Sequence, residues 1–362
     1  MKNPFTPVFG HEPLILAGRE KLIADVLRGL DSPPGEPNRI TIFTGPRGSG
    51  KTVLLGHIAS EAEARGWISV HTSAAEGMLT DIAEQIERKA AEHLPKKSKS
   101  KLTGVQVSGF GFTREVEPEK SGSWRTQMDG LLDLLAERKI GLLFSIDEVT
   151  ADVPEMIRFV STFQIFVMEK RNVALMMAGL PSRVLGLITH KDISFLRRAF
   201  RRDIGSVSIP EARAAMKKTI DFSGRGVEGK ALDFASEKTE GLPFLIQLIG
   251  YHMFNQSERK RILLEDAQQG VKDAEKDMED MILDATLAEL TDAETRFLYA
   301  MLGGADRVRV GDVAKNMEVS ASQASHIKRK LVRLGIVAEC GRGVIEFAMP
   351  MLKKLLEKEH AF

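Results

Sequence analysis

Cysteine is nearly absent: Cys340 is the only one in 362 residues. A single thiol excludes an intramolecular disulfide and a cysteine-only metal cluster, and it leads us to expect a reducing, cytoplasmic setting. Long apolar runs are missing too. No stretch reaches the roughly eighteen apolar residues of a membrane helix, and even 159–168 is broken by Ser161, Thr162 and Gln164. Met1-Lys2-Asn3-Pro4-Phe5 leads into no apolar segment, so no secretory leader is expected. An excess of either charge is lacking. Lysine plus arginine total 51 and aspartate plus glutamate 50, which excludes a chain coated in basic residues but allows a local basic patch. The histidines, including His71, His93, His190 and His252, show no close ligand spacing, so no histidine metal centre is expected. What remains is 43% hydrophobic and 28% charged, a globular rather than a disordered or fibrous composition. At roughly 150 residues per domain, the length implies two or three domains.

Five short apolar runs stand at 40–44, 67–72, 140–146, 173–178 and 207–209. Several lack polar alternation, as expected for strands buried on both faces of a parallel sheet. Helical patterns fill the gaps at 52–64, 80–91, 124–136 and 154–170. Strand alternating with helix predicts an α/β sandwich. Residues 95–122 do not fit and read as an inserted basic stretch followed by a small hairpin. From 210 the strand signals vanish, and helices are predicted over 211–220, 229–237, 243–254 and 264–284. The acidic run 265–294 reads as a solvated helix face. At Thr291-Asp292-Ala293-Glu294 a capping box opens a fresh unit. Three domains are therefore expected: a core over 1–210, an all-helical lid over 211–288 and a C-terminal domain over 289–362.

Gly45-Pro46-Arg47-Gly48-Ser49-Gly50-Lys51-Thr52 fits the P-loop pattern G-x-x-x-x-G-K-[ST] without a mismatch, between a strand and a helix. Glycines let successive N–H groups converge on phosphates, and the helix N-terminus adds its positive end. Lys51 is then expected to reach the β and γ phosphates and the Thr52 hydroxyl to ligate Mg²⁺, with Val53 also beside the nucleotide. A glycine-rich turn without a ligand is the plainer alternative. Leu142-Leu143-Phe144-Ser145-Ile146-Asp147-Glu148 supplies the acidic strand tip such a loop requires. Asp147 is expected to hold Mg²⁺ through its water shell, and Glu148 to polarise the attacking water. Guanine specificity is not expected, because His190-Lys191-Asp192 has the wrong spacing for the N-K-x-D element. Nor does any catalytic-loop or phosphoacceptor element suggest a kinase.

These paired motifs resemble those of the additional-strand P-loop ATPases, within them the AAA+ and STAND groups. The branch in view includes origin-recognition initiators and archaeal-type ATPases. Gly18-Arg19-Glu20 resembles the box that opens this module near the adenine; Phe9, Gly10 and Pro13 ahead of it suit a cover for the base, and equally a plain packing segment. Gly241-Leu242-Pro243 resembles the lid element over the nucleotide, although Pro243 is equally a first-turn helix proline. The resemblance implies an ATP-binding switch ATPase with a P-loop α/β/α core and a helical lid. It also implies self-association through an arginine finger, for which Arg198 and then Arg197 are the candidates. A basic surface helix that contacts nucleic acid is the alternative for those two. Two departures stand out: the fourth strand ends Met176-Met177-Ala178-Gly179 without a polar sensor, and 241–254 lacks a lid arginine. Slow or partner-dependent hydrolysis is expected.

The last unit reads as three helices and a hairpin. Phe297, Leu298, Met301 and Leu302 line the first helix, Val310, Val313 and Met317 the second, and Ala324, Ile327, Leu331 and Leu334 the third. Ser320-Ala321-Ser322-Gln323 caps the third helix. A polar, basic third helix followed by strands that turn at Gly341-Arg342-Gly343 resembles a winged helix-turn-helix. Ser322, Gln323 and His326 are then candidates for base edges, and Arg329, Lys330, Arg333 and Arg342 for phosphates of double-stranded DNA. A docking module that binds only protein, as in a STAND signalling scaffold, remains the alternative. A hydrolase acting on a small molecule ranks last, since no second substrate constellation is visible.

Overall fold

Strands β1 (Ile40–Thr44), β2 (Ile68–Ser73), β3 (Leu142–Asp147), β4 (Val173–Gly179) and β5 (Phe200–Asp203) form one parallel sheet in the order β2-β3-β4-β1-β5. This is a computed structural model, and it describes residues 1–8, 10–93, 124–287, 290–302, 307–348 and 350–360. The inserted segment expected at 95–122 lies outside the described residues, and so does Phe9. β3 and β4 are buried along their whole length, which is why neither alternates. Successive side chains still point to opposite faces. Leu142, Phe144 and Ile146 join one core with Leu175 and Met177, while Leu143 joins the other with Ala174 and Met176. Helices α1 (Glu20–Asp31) and α2 (Lys51–Ala64) cover the second face. The first face is covered by α3 (Met78–His93), α4 (Trp124–Ala136), α5 (Pro154–Met168) and α6 (Pro181–Ile188). Its centre is aromatic: Phe144 meets Phe159 edge-on at 5.2 Å between ring centroids and Phe163 at 5.8 Å.

The fifth strand is not at 207–209. Ser208 instead caps helix α7 (Ile209–Phe222), with the Glu211 carboxylate accepting the Ser208 N–H at 2.9 Å. The true fifth strand, Phe-Arg-Arg-Asp, pairs with β1 at the sheet edge, where its side chains face solvent and no apolar pattern marks it. Val207 is apolar because it packs into the helical cluster that follows.

That cluster is built by α7, α8 (Gly229–Lys238), α9 (Pro243–Asn255) and α10 (Leu264–Leu287). A two-residue parallel pair, β6 (Gly226–Val227) with β7 (Arg261–Ile262), interrupts the helices where no strand was expected. The start of the chain also belongs here. Phe5 is buried against α9, so close that a Cβ on Gly250 would lie 2.3 Å from its ring. The Thr6 N–H donates to Gln247 Oε1 at 3.1 Å.

Helices α11 (Asp292–Met301), α12 (Val310–Asn316) and α13 (Ala321–Arg333) enclose a separate core around Phe297, Leu298, Val313 and Leu331. Both capping boxes are present. Glu294 accepts the Thr291 N–H at 3.0 Å, and Gln323 accepts the Ser320 N–H at 3.1 Å. An antiparallel sheet, β8 (Arg307–Arg309), β10 (Val344–Phe347) and β9 (Val337–Gly341) in that order, closes the unit. A last helix, α14 (Pro350–His360), was not anticipated. It adds Leu352 and Leu356 to this core and forms ion pairs to the preceding unit, Lys354 to Glu240 in the turn after α8 and Lys358 to Glu279 of α10. No described helix is long and apolar enough to cross a membrane.

Candidate active site at the end of the parallel sheet

In open α/β sheets ligands collect at the carboxyl ends of strands where the strand order reverses. β1 is such a strand, with β4 on one side and β5 on the other. The loop leaving it curls through two left-handed glycines, Gly48 (φ +77°) and Gly50 (φ +84°), and Gly50 is the N-cap of α2. Side chains resist that backbone region by about 1–2 kcal/mol, so the curl depends on glycine.

Lys51 points back into the curl and is buried. Its Nζ donates to Gly45 O at 3.0 Å and Pro46 O at 2.8 Å. Burial pushes its pKa below the usual lysine value, an effect opposed by the carboxylates of Glu148 and Asp147. Thr52 Oγ1 donates to Asp147 Oδ2 at 2.5 Å, and Asp147 Oδ1 accepts the Glu148 N–H at 2.8 Å. A hydroxyl and a carboxylate so close, at the foot of a phosphate-sized loop, form the hard oxygen set that Mg²⁺ takes when it keeps most of its waters. The residues therefore fit the ion. Glu148 has left-handed backbone (φ +51°), a strain of about 1–3 kcal/mol that turns its side chain out of the strand line toward the cavity. Its Oε2 lies 3.3 Å from Arg183 Nη1.

A cavity of about 400 Å³ lies between this loop and the helical lid, and Glu148 lines it. Arg47, Val53, Pro13 and Arg19 line it too, as do the lid residues Pro243, Phe244 and Gln247. Pro243 packs over the loop, 3.9 Å from the place a Cβ on Gly50 would take. Gly241, two residues earlier, is left-handed (φ +72°) and so tight against the core–lid linker that a Cβ would meet Val207 O at 2.0 Å. Arg19 also serves this linker: its Nη2 donates to Ile204 O at 3.3 Å and Gly205 O at 2.6 Å. Burial lowers its pKa against the pull of Glu211 and Asp203. A wider hollow of about 890 Å³ lies by Trp67 and Arg171. Arg39, which lines it, donates to Gly29 O at 3.0 Å and Asn172 Oδ1 at 2.8 Å, so its guanidinium is engaged in holding the fold.

Not every candidate converges here. Arg197 and Arg198 lie exposed on a short 3₁₀ turn, and neither lines the cavity. Along α13, Ser322, Gln323, His326, Arg329 and Arg333 are exposed, as is Arg342 in the turn between β9 and β10. Gln323 Oε1 is engaged as the cap. Lys330, half-exposed, pairs at 2.7 Å with the buried Glu294, and Lys328 pairs with Glu339. Although burial alone raises it, the Glu294 carboxyl is held below its ordinary pKa by Lys330 and the Thr291 cap. Arg183, Phe244 and Gln247 were missed. Arg183 is 35 positions from Glu148, and no local pattern announces such a contact.

Residues 280–356 match a family described as "Domain of unknown function (DUF8462)". No curated protein matches the chain. Among solved structures, the chain is similar to a Walker-type ATPase of Pyrococcus abyssi at 15% identity and a TM-score of 0.65, covering 94% of this chain and 96% of that one. It is also similar to the ORC2 protein of Aeropyrum pernix, solved in ADPNP-ADP complexes, at 14% identity and a TM-score of 0.59, covering 98% of both chains. Identities this low carry the fold alone. That fold is a parallel-sheet α/β P-loop NTPase architecture, followed over nearly the whole chain.

Proposed function

We propose that this protein is an ATP-binding and ATP-hydrolysing switch of the AAA+/STAND kind that engages double-stranded DNA through its C-terminal unit. The observation that carries the reading is the convergence of Lys51, Thr52, Asp147 and Glu148 under a lid whose Pro243 reaches the same loop. A triphosphate entering the curl replaces the Gly45 and Pro46 carbonyls as the partner of Lys51, and the N–H groups of the loop supply the remaining donors. Thr52 and Asp147 would hold Mg²⁺, which, when bound, neutralises charge between the β and γ phosphates. Glu148 accepts the proton of the attacking water once its carboxylate is free of Arg183. Arg198 or Arg197, exposed and not lining its own cavity, suits a finger offered to a second copy. Because nucleotide lies between core and lid, its presence sets their relative position, and α14 carries that position to the C-terminal unit.

Domains over 1–210, 211–288 and 289–362 are supported by separate buried clusters in the sheet, the lid helices and the last unit. We assign that last unit as a winged helix, with α13 as the recognition helix and Arg342 at the wing tip. Isothermal titration tests the base of the scheme: heat for ATP or ADP with Mg²⁺ in the parent and none in Lys51→Ala is expected. DNA engagement is tested by an electrophoretic shift, with affinity falling steeply as salt rises. A second reading, a signalling scaffold whose last unit docks on its own ATPase core, is favoured by the Arg183 contact to the Arg333 carbonyl. Absence of any DNA shift, with or without ATP, selects it.

A further inference from the structure

Resting on the reading of Glu148 as the hydrolytic carboxylate, we propose that Arg183 is a positioning residue that ties this carboxylate to the docking of the C-terminal unit. Arg183 lies in the first turn of α6, just past β4. One guanidinium nitrogen is 3.3 Å from Glu148 Oε2, and the other donates to the Arg333 carbonyl oxygen, also at 3.3 Å. Arg333 is the last residue of α13. Carbonyls there have no partner within the helix, and the negative end of its dipole attracts a cation. One side chain therefore joins a strand-tip carboxylate to the base of the helix whose outer face exposes Ser322, His326 and Arg329. Beside it Leu180 is buried against Gly335, whose Cβ, if present, would lie 2.5 Å from Leu180 Cδ1.

The clasp is made for release. Both hydrogen bonds are longer than the usual 2.9–3.0 Å, and Arg183 Nε is buried without a partner among the described residues. While the C-terminal unit is docked, the guanidinium engages Glu148 and competes with water for its lone pair. When the unit leaves, Arg183 loses the Arg333 carbonyl, its orphaned N–H regains solvent, and Glu148 is freed. A ligand that binds the exposed face of α13 more tightly in the undocked state shifts the population toward hydrolysis.

Steady-state turnover of the full chain tests this. Arg183→Gln raises kcat by about fivefold or more, the low end of such couplings, with KM for MgATP unchanged. Gly335→Asn tolerates the left-handed backbone (φ +71°) but places a side chain against Leu180, and it gives a similar rise. The double variant adds nothing further, because both changes break one linkage. Turnover at or below the parent for Arg183→Gln, additive effects, or a change confined to KM overturns the proposal. Should Gly335→Asn not fold, hydrogen exchange in the last turn of α13 replaces it: faster exchange in Arg183→Gln is expected, and unchanged exchange overturns the coupling. Titration of each variant with ATP separates the two layers. Heat retained with turnover unchanged defeats the coupling alone; no heat in the parent defeats the nucleotide reading and the proposal with it.

Discussion

Two glycines allow the contact between the core–lid linker and Gly241 to be measured against an internal control. Gly224 (φ +79°) and Gly241 (φ +72°) share a left-handed backbone, but a Cβ on Gly224 would meet nothing within 4 Å, whereas one on Gly241 would lie 2.0 Å from Val207 O. Gly224→Ala therefore carries only the conformational penalty, about 1–2 kcal/mol. Gly241→Ala carries the same penalty and must also drive Val207 away until ordinary contact at 3.4–4 Å is restored. That displacement breaks the Val207 N–H to Gly241 O hydrogen bond, now 2.8 Å. Its loss, with a buried partner left unpaired, is worth about 1–3 kcal/mol. Gly241→Ala should thus be about 2 kcal/mol worse than Gly224→Ala, which at roughly 2–4 °C per kcal/mol is about 4–8 °C in calorimetric melting. It should also weaken nucleotide binding, since Pro243 loses its place over Gly50, while Gly224→Ala should not. Equal melting shifts, or equal affinities, would show that the linker contact does not hold the lid.

Thr52→Ala removes a hydroxyl from the oxygen pair and is expected to lower ATP affinity about tenfold with Mg²⁺ present while changing little in EDTA, read by titration calorimetry. Phe159→Ala opens a hole in the aromatic core and should cost about 3–5 kcal/mol in denaturant unfolding. Arg329→Ala should weaken DNA binding at every sequence and reduce the salt slope by about 1, whereas Lys330→Ala should act first on stability, because it strips Glu294 of its partner. The carboxyl of Glu294 is held below its ordinary value, so its contribution is complete above an unfolded pKa of about 4.3 and lost as pH falls through the lower folded value. The melting difference between the parent and Glu294→Gln should therefore close as pH drops below about 4.

The sheet core was readable because β1, β3 and β4 are buried on both faces and interrupted by long periodic helices. β5 was not, since an exposed edge of phenylalanine, two arginines and aspartate is selected by what it must avoid rather than by what it buries. The loop chemistry of Gly45 to Thr52 is local, and the partnership of Asp147 with Thr52 follows from strand order; both were accessible. Arg183 and Gln247 were not, because their meaning lies in contacts to Arg333 and Thr6 that only folding creates. Lys330 shows what spacing alone leaves out: it stands with a basic face and is also the ion-pair partner of a buried glutamate on α11.

The charged rim of β5 bears on how copies of this chain can meet. Arg201 and Asp203 stand in solvent, and Arg202 reaches back toward Asp25 at 3.8 Å. A bare main-chain ladder would invite endless strand-to-strand growth; a rim of ions instead leaves side chains to make the encounter. If copies associate through the arginine finger proposed above, a contact along this charged border would be reversible and responsive to salt.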